Sequence, residues 1–204
     1  MATSITHIFT DVGGVLATNG WDRTMRERAA AQFKLNYEEV NERHHLTFNT
    51  YEEGKLSLDE YLERVIFYEP RAFHRDDFVR FMYEQSQPFQ PMIDLVCALK
   101  QRYGLRVGVV SNEGRELTVH RIDKFRMHEF VDFFIVSCFV HFRKPDADIW
   151  RMALDIAQVA PEHVVYLEDR PMFVDVANEL GMHAIHHTAL EATQAALADH
   201  GLSL

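Results

Sequence analysis

Short apolar runs alternate with longer mixed segments through the second half of the chain. The runs at 105–110, 133–137 and 163–167 are rich in β-branched and aromatic residues, which predicts buried strands. A weaker run at 184–186 predicts an edge strand. A similar run begins at residue 5, where apolar and β-branched residues also dominate and predict a further strand. The pattern therefore predicts five strands.

Helices are predicted between these strands. Pro91 can start a helix that runs to residue 103, and Gly104 can end it. Further helices are expected at 113–126, 146–158, 171–180 and 189–200. Strands that alternate with helices in this way predict a mostly parallel, Rossmann-like sheet sandwiched by helices, which is an α/β fold.

Residues 17 to about 90 show no clear strand pattern and predict four or five helices. Two pairs have capping-box spacing ahead of a helix, Asn36 with Glu39 and Ser57 with Glu60. A glycine-marked turn at 51–56 separates them, and a further helix begins near residue 76. We therefore expect an α/β core built from 1–16 and 91–204, with 17–90 inserted as an all-helical subdomain.

Charge and composition narrow the classes of partner. The 204 residues carry a formal net charge of -10, which argues against a nucleic-acid or membrane-surface partner but leaves a small phosphorylated molecule open. Cys97 and Cys138 lie in apolar runs and predict core residues rather than a disulfide framework. The N-terminus lacks an apolar signal core. A cytoplasmic protein, monomeric or homodimeric, is the expectation.

Asp11 stands where the first predicted strand ends, and two glycines follow it. Open α/β sheets place their sites at the carboxyl ends of strands, and glycines let the backbone turn sharply and approach a ligand. Asp11 is therefore a candidate nucleophile, with Gly13 and Gly14 near the ligand. Taken alone, the same stretch is equally typical of an ordinary turn.

Polar groups follow three more predicted strands: Ser111-Asn112, Lys144-Pro145 and Glu168-Asp169. Taken singly, each has an ordinary structural explanation, namely a strand-to-helix turn, a solvated loop lysine and a helix cap. Parallel strands bring their carboxyl ends to one edge of the sheet, so the four groups together predict a site at that edge.

The four groups, in this order and spacing, resemble the motifs of the haloacid dehalogenase superfamily of hydrolases. The resemblance covers nearly the whole chain and implies that 17–90 is the helical cap inserted after the first strand. It also implies a sheet in which the first strand lies between the second and the fourth, so that Asp11 sits at a topological switch point.

The resemblance implies a magnesium-dependent phosphatase that acts on a small phosphorylated substrate. Asp11 would attack phosphorus and form an aspartyl-phosphate. Asp11, the Gly13 carbonyl and Asp169 are the implied Mg²⁺ ligands, because Mg²⁺ prefers oxygen ligands. Glu168 would hold a metal-bound water or orient Lys144.

Three residues are implied on the phosphoryl group itself. Lys144 would neutralise the charges of Asp11 and the phosphoryl group. Ser111 and the backbone of Asn112 would hydrogen-bond the phosphoryl oxygens.

Gly13 departs from the pattern of most phosphatases in the superfamily, which carry a general acid/base aspartate at this position. Losing such a group costs about 10²–10⁴ in rate. Three interpretations follow. The chain resembles a sugar-1-phosphate phosphatase branch that also has Asp-x-Gly; or it is a metal-free 2-haloacid dehalogenase; or it is a catalytically weak or silent phosphate-binding protein. The acid pair Glu168-Asp169 favours the phosphatase, because a dehalogenase needs no metal.

Substrate choice is expected to reside in the cap. The candidates to face the site are Asn19-Gly20-Trp21 at the cap entrance, His44-His45 and the Gly54-Lys55 turn, and among them Trp21 and Lys55 are the candidate substrate-binding residues. Packing between cap and core is the simpler role for Trp21. His44 and His45 are expected on a solvated helix face, although one of them could supply the missing proton.

Overall fold

The computed structural model describes residues 4–204 and contains one five-stranded parallel sheet. Its strand order is β3-β2-β1-β4-β5. The strands are β1 (His7–Thr10), β2 (Arg106–Ser111), β3 (Phe133–Val136), β4 (Val164–Glu168) and β5 (His183–His186). All four strand pairs are parallel, and β1 lies between β2 and β4. The predicted fold class and the implied position of the first strand are both confirmed.

Ten α-helices surround the sheet within residues 4–204. Four of them lie between β1 and β2, ahead of α5: α1 (Arg23–Phe33), α2 (Tyr37–Glu52), α3 (Leu58–Val65) and α4 (Arg75–Glu84). The others are α5 (Gln90–Tyr103), α6 (Arg115–Lys124), α7 (Ser137–Val140), α8 (Asp148–Ala157), α9 (Pro171–Glu179) and α10 (Leu190–Asp199). Within residues 4–204, none of the helices combines the length and the apolar composition that a membrane-spanning helix requires.

The two faces of the sheet are buried under different helices. Ile8 belongs to a cluster that includes Val96 of α5, whereas its neighbour Phe9 belongs to a cluster that includes Trp150 of α8. Successive residues of a strand point to opposite faces, so both neighbours are buried only if helices cover both faces. This explains why the strands are near-continuous apolar runs.

The helices α1 to α4 share a hydrophobic cluster of their own. Tyr61, Leu62 and Phe78 are fully buried in it, and Leu117 of α6 joins it from the sheet side. The Ser57 side chain and the Glu60 side chain complete a capping box at α3, whereas Asn36 only accepts a bond from the Glu39 N–H at α2. The helical cap is present, and the exact division of the chain into core and cap stays a prediction.

Some predicted boundaries shift by one or two residues. The strand expected at 133–137 ends at Val136, because Ser137 begins the short helix α7, which the sequence did not predict. Gly104 ends α5 in a left-handed conformation, as expected. The helix expected from residue 146 begins at Asp148. These shifts leave the order of elements unchanged.

Candidate active site

The sheet brings the strand-end groups of β1, β2 and β4 to one edge. Asp11 directly follows β1, Ser111 ends β2 and Glu168 ends β4. Lys144 reaches the same edge from the loop after α7, and its buried side chain lies against both carboxylates. Because β1 is flanked by β2 and β4, Asp11 is the residue on which the other groups converge.

A buried ion-pair network centres on Lys144, whose side chain is fully buried. Its Nζ lies 2.6 Å from Oε2 of Glu168 and 3.1 Å from Oδ2 of Asp11. It also donates to the Tyr166 hydroxyl at 3.0 Å, and that hydroxyl donates to Glu168. Burial alone would lower the pKa of Lys144, but Asp11 and Glu168 outweigh it and raise that pKa above its ordinary value. Lys144 is therefore held as a cation.

Asp11 is held in one orientation by its neighbours. Its Oδ1 accepts the Val12 N–H at 2.8 Å, and the Ser111 side chain lies near the same carboxylate and lowers its pKa. Burial raises the pKa of Asp11, and the charge of Lys144 opposes that rise. The charge of a carboxylate beside a buried ammonium is partly compensated, which is an arrangement that suits a nucleophile.

The Asn112 side chain binds the backbone of Lys144 and so holds the lysine in place. Its Nδ2 donates to the Lys144 carbonyl and its Oδ1 accepts the Lys144 N–H, both at 2.8 Å. Two reciprocal bonds to one residue fix the loop that carries the lysine. The part of Asn112 left for a phosphoryl group is its backbone, as the family resemblance implies.

Three carboxylates form a cluster that could hold a metal ion. Ligand oxygens of Asp11, Glu168 and Asp169 all lie within 4.8 Å of one another. Oδ1 of Asp169 is buried and has no hydrogen-bond partner in residues 4–204, and its Oδ2 has only a 3.4 Å bond from Asn19 and Arg170 at 3.8 Å. An orphaned carboxylate oxygen in an all-oxygen donor set fits a hard cation such as Mg²⁺.

The two glycines after Asp11 are crowded for different reasons. Gly14 has φ +74°, and a Cβ there would collide with the Asp169 side chain. A Cβ at Gly13 would lie 2.6 Å from Oδ1 of Asn19. The Asn19 amide therefore occupies the space beside Gly13 that a side chain at position 13 would need. The sequence predicted that Asn19 would face the site but not that it would lie against position 13.

A cavity of about 450 Å³ opens above this edge between the sheet and the helices α1 and α2. Six of the predicted site residues line it: Asp11, Gly13, Trp21, Asn112, Lys144 and Asp169. Ser111 and Glu168 lie behind them, since Ser111 is 3% exposed and Glu168 is fully buried. The volume is typical of small-molecule sites, which hold about 300–1,000 Å³.

Lys55 is not brought to this cavity. Its ammonium pairs with Glu53 at 2.7 Å on an exposed turn, and 57% of its side chain is accessible. The turn itself packs against α7, because Gly54 closely approaches the Cys138 carbonyl.

The expectation that His44 lies on a solvated helix face is wrong, whereas His45 is exposed at the cavity wall. His44 is 7% exposed, and its Nδ1 lies 2.7 Å from the Tyr61 hydroxyl. Burial lowers the pKa of His44 to about 3, so the ring is neutral at pH 7 and cannot serve as an imidazolium acid.

Trp21 is both packed against Phe78 in the cap cluster and part of the cavity wall.

Two ion pairs in the cavity wall were not anticipated from the sequence. Arg143 binds Glu52 of α2 at 2.6 Å, and this ion pair joins the loop that carries Lys144 to the cap. Arg121 binds Glu113 at 3.1 Å and also donates to the Thr18 carbonyl in the segment that enters the cap. Burial raises the pKa of Glu113 to about 7 against the opposing charge of Arg121. Their positions beside Lys144 and Asn112 in the sequence are the signal that could have found Arg143 and Glu113.

A parallel sheet with a strand-end aspartate, a buried lysine and a carboxylate cluster defines a class of α/β hydrolase with a helical cap. Residues 5–181 match the haloacid dehalogenase-like hydrolases, and the chain belongs to this family.

Solved structures share the fold. An enzyme of the haloacid dehalogenase family from Bacteroides thetaiotaomicron has a TM-score of 0.75 at 21% identity, over 91% of this chain and 94% of that one. A complex of that wild-type enzyme with magnesium and inorganic phosphate has a TM-score of 0.76 at 19% identity, over 91% and 95%. L-2-haloacid dehalogenase from Xanthobacter autotrophicus has a TM-score of 0.63 at 12% identity, over 98% and 85%.

Curated relatives match over a shorter stretch. Bifunctional epoxide hydrolase 2 of Rattus norvegicus is 29% identical over 99 residues, which are 46% of this chain and 17% of that protein. The Mus musculus protein of the same name is 31% identical over 108 residues, 49% of this chain and 19% of that protein. The matches thus span less than a fifth of these relatives.

Proposed function

We propose that this hydrolase is a Mg²⁺-dependent phosphatase that hydrolyses a small phosphorylated metabolite, with Asp11 as the nucleophile. The observation that carries the proposal is the orphaned, buried Oδ1 of Asp169 within the cluster of Asp11, Glu168 and Asp169. A metal-free dehalogenase gives such an oxygen no partner. The magnesium and phosphate bound to a protein of the same fold support this assignment.

The proposed first step transfers the phosphoryl group to Asp11. An oxygen of Asp11 forms a bond to phosphorus while the bond to the leaving oxygen breaks, and the leaving group departs with the electron pair. Lys144, 3.1 Å from Asp11, lowers the repulsion between the carboxylate and the incoming phosphate. Ser111 and the Asn112 backbone are the proposed donors to the phosphoryl oxygens. Water then attacks phosphorus, the bond between phosphorus and the Asp11 oxygen breaks, and phosphate leaves while the Asp11 carboxylate is restored and the proton of water goes to solvent.

The proposed metal site consists of Asp11, the Gly13 carbonyl and Asp169. Mg²⁺ there would supply positive charge that offsets the phosphate dianion. Glu168 is proposed to act mainly through Lys144, since its Oε2 lies 2.6 Å from Nζ.

Gly13 leaves no side chain to protonate the leaving group, so the substrates proposed are those with good leaving groups, a sugar 1-phosphate among them. An anomeric oxygen is a weaker base than an ordinary alkoxide and needs less help from an acid. This branch of the proposal rests on Gly13 and on the absence of an imidazolium at His44, whose pKa is about 3.

A screen of phosphorylated metabolites tests the proposal. Phosphate release that requires Mg²⁺, stops with chelator and is lost in Asp169→Asn is the expected result. Chloride release from 2-chloropropionate that persists with chelator would identify a dehalogenase instead. Phosphate binding by the wild type with no turnover of any compound would identify a silent binding protein.

A further inference from the structure

Among the described residues, all but one of the cationic side chains in the cavity wall form an ion pair with a carboxylate. Six arginine and lysine side chains within residues 4–204 line the cavity, and Arg26 is the one that forms no ion pair. The other five each lie within 4.0 Å of a carboxylate, in the pairs Arg23–Glu27, Arg121–Glu113, Arg143–Glu52, Lys144–Asp11 and Arg170–Asp169. Arg26 is therefore the one cation of the six without a carboxylate within 4.0 Å, and the charge of Asp22 in the cavity wall reaches it only from further away.

Arg26 is also buried, at 5% exposure. Its Nη1 donates to the Trp21 carbonyl at 2.9 Å, and its Nε and Nη2 both donate to Oδ1 of Asn41, at 3.3 and 3.1 Å. These neutral acceptors use three of the five N–H groups of a guanidinium and leave two. A buried guanidinium without a paired carboxylate is costly, and an anion bound by the two remaining donors would reduce that cost.

His44 offers a second donor to the same cavity. Trp21 Nε1–H donates to the Tyr61 hydroxyl at 2.8 Å. The hydroxyl proton of Tyr61 is then free to be donated to Nδ1 of His44, which lies 2.7 Å away, and we assign the tautomer of His44 on this basis. The proton of the neutral ring is then on Nε2, for which no residue in the described chain provides a partner. Arg26 and His44 line the same cavity, and the charge of Arg26 helps to lower the pKa of His44.

We propose that Arg26 and His44 form a subsite in the cap that binds a second anionic group of the substrate. The proposal deepens the proposed phosphatase function. The scissile phosphate lies at Asp11 and Lys144, and the second group, a carboxylate or another phosphate, accepts hydrogen bonds from the guanidinium and from His44 Nε2–H. The substrate class is therefore a phosphorylated metabolite with two anionic groups, small enough for a cavity of about 450 Å³.

Matched substrate pairs test this subsite. The pairs are glucose 1-phosphate against glucuronic acid 1-phosphate, and glucose 1-phosphate against glucose 1,6-bisphosphate. Every member keeps the anomeric leaving group that Gly13 favours, and the two pairs separate an added carboxylate from an added phosphate. We expect kcat/KM to favour the doubly anionic member of at least one pair by about tenfold or more, the usual worth of a charge-assisted bond. The ratio within one protein sample does not depend on how much of the sample is folded.

Two variants and a control locate the effect. Arg26→Gln should bring the ratio close to one, and His44→Phe, which keeps a ring against Phe48, should lower it several-fold. Arg28→Gln is the control, because Arg28 lies on the same helix, is exposed and does not line the cavity. It should keep the wild-type ratio. A ratio near one in every wild-type pair, or a ratio that survives in Arg26→Gln, would overturn the subsite.

A binding measurement separates this proposal from the phosphatase proposal. If no compound is hydrolysed, the proposed function fails, and the subsite is then tested by the change in Tm of the wild type with each pair. Greater stabilisation by the doubly anionic member, absent in Arg26→Gln, would support the subsite without any turnover. Equal stabilisation by both members would refute it.

Discussion

Lys144 links the chemistry of the proposed site to its stability. It is the ammonium that contacts both Asp11 and Glu168, and all three side chains are almost fully removed from water. Its removal should lower phosphatase turnover by at least about 10²-fold, because the charge that faces the phosphoryl group is lost. Lys144→Ala also leaves Glu168 buried without a cation, which should reduce the free energy of unfolding by about 3–5 kcal/mol.

A paired substitution separates these two effects. Lys144→Met with Glu168→Gln removes both charges and should restore much of the stability, as measured by urea unfolding, while turnover stays absent. Turnover near the wild-type rate in either variant would exclude Lys144 from the mechanism.

Gly13 and Asn19 have to be tested together. A side chain at position 13 would meet Oδ1 of Asn19 at 2.6 Å from its Cβ, so Gly13→Asp alone requires the amide to move. In the double variant Gly13→Asp with Asn19→Ala, a carboxyl group has room beside Asp11. We expect hydrolysis of alkyl phosphates to rise by up to about 10²–10³, with little change for aryl phosphates.

The measurement is kcat/KM against leaving-group pKa for aryl and alkyl phosphates, with Asn19→Ala as the control for loss of the amide. The wild-type rate should fall steeply as that pKa rises. A flat wild-type dependence, unchanged in the double variant, would mean that another group already acts as the acid.

Glu113 makes stability depend on pH. Burial raises its pKa to about 7 from 4.5, so the folded protein binds this proton more tightly than the unfolded chain does. Its contribution to stability is fully present below about pH 4.5 and is lost as pH rises through 7. Relative to Glu113→Gln, the wild type should lose up to about 3 kcal/mol of unfolding free energy between these pH values. Parallel stability profiles of the two proteins would contradict the shift.

The residues at the strand ends could be predicted because their order along the chain encodes their place on the sheet. Asp11 and Asp169 follow parallel strands, and parallel strands end at the same edge. His44 was misassigned because its burial depends on Tyr61, a partner on another helix. The helix periodicity around His44 does not predict a contact with another helix. For the same reason it does not predict the hydrogen bond between Arg26 and Asn41.

At the scale of elements, the turn between α2 and α3 packs directly against the backbone of α7. Gly54 has φ +68°, and a Cβ there would collide with the Cys138 carbonyl, whereas Gly104 has φ +66° and open space around it. Both Ala variants carry the cost of a left-handed conformation, about 1–2 kcal/mol. Gly54→Ala should lose distinctly more unfolding free energy than Gly104→Ala in urea titrations, because backbone has to move. Equal losses would mean that the turn does not press on α7.

Element boundaries were predictable where the local residues themselves set them. Pro at the second position of α5 and Gly104 at its end mark that helix, and Ser57 with Glu60 marks α3. The end of β3 was not predictable in the same way. Ser137 accepts the Glu113 N–H at 3.0 Å, a contact with the loop after another strand, and α7 begins there.

At the scale of the molecule, the alternation of strands and helices was sufficient to predict an α/β sheet covered on both faces. Periodicity did not give the order of the strands, which came from the family resemblance. That order is what makes Asp11 central, since β1 pairs with β2 on one side and with β4 on the other. The cap contributes Arg26, His44 and Glu52 to the cavity, and these depend on packing between helices that are distant in sequence.

The central claim is that Asp11 accepts the phosphoryl group. Because Gly13 provides no base for the second step, the aspartyl-phosphate should accumulate and be detectable after a rapid acid quench. Mass spectrometry of the peptide that contains Asp11, after mixing with a hydrolysed substrate and Mg²⁺, should show one added phosphoryl group that is absent with chelator and in Asp11→Asn. Phosphate release by Asp11→Asn at the wild-type rate, with the wild-type peptide unmodified at every quench time, would contradict the account.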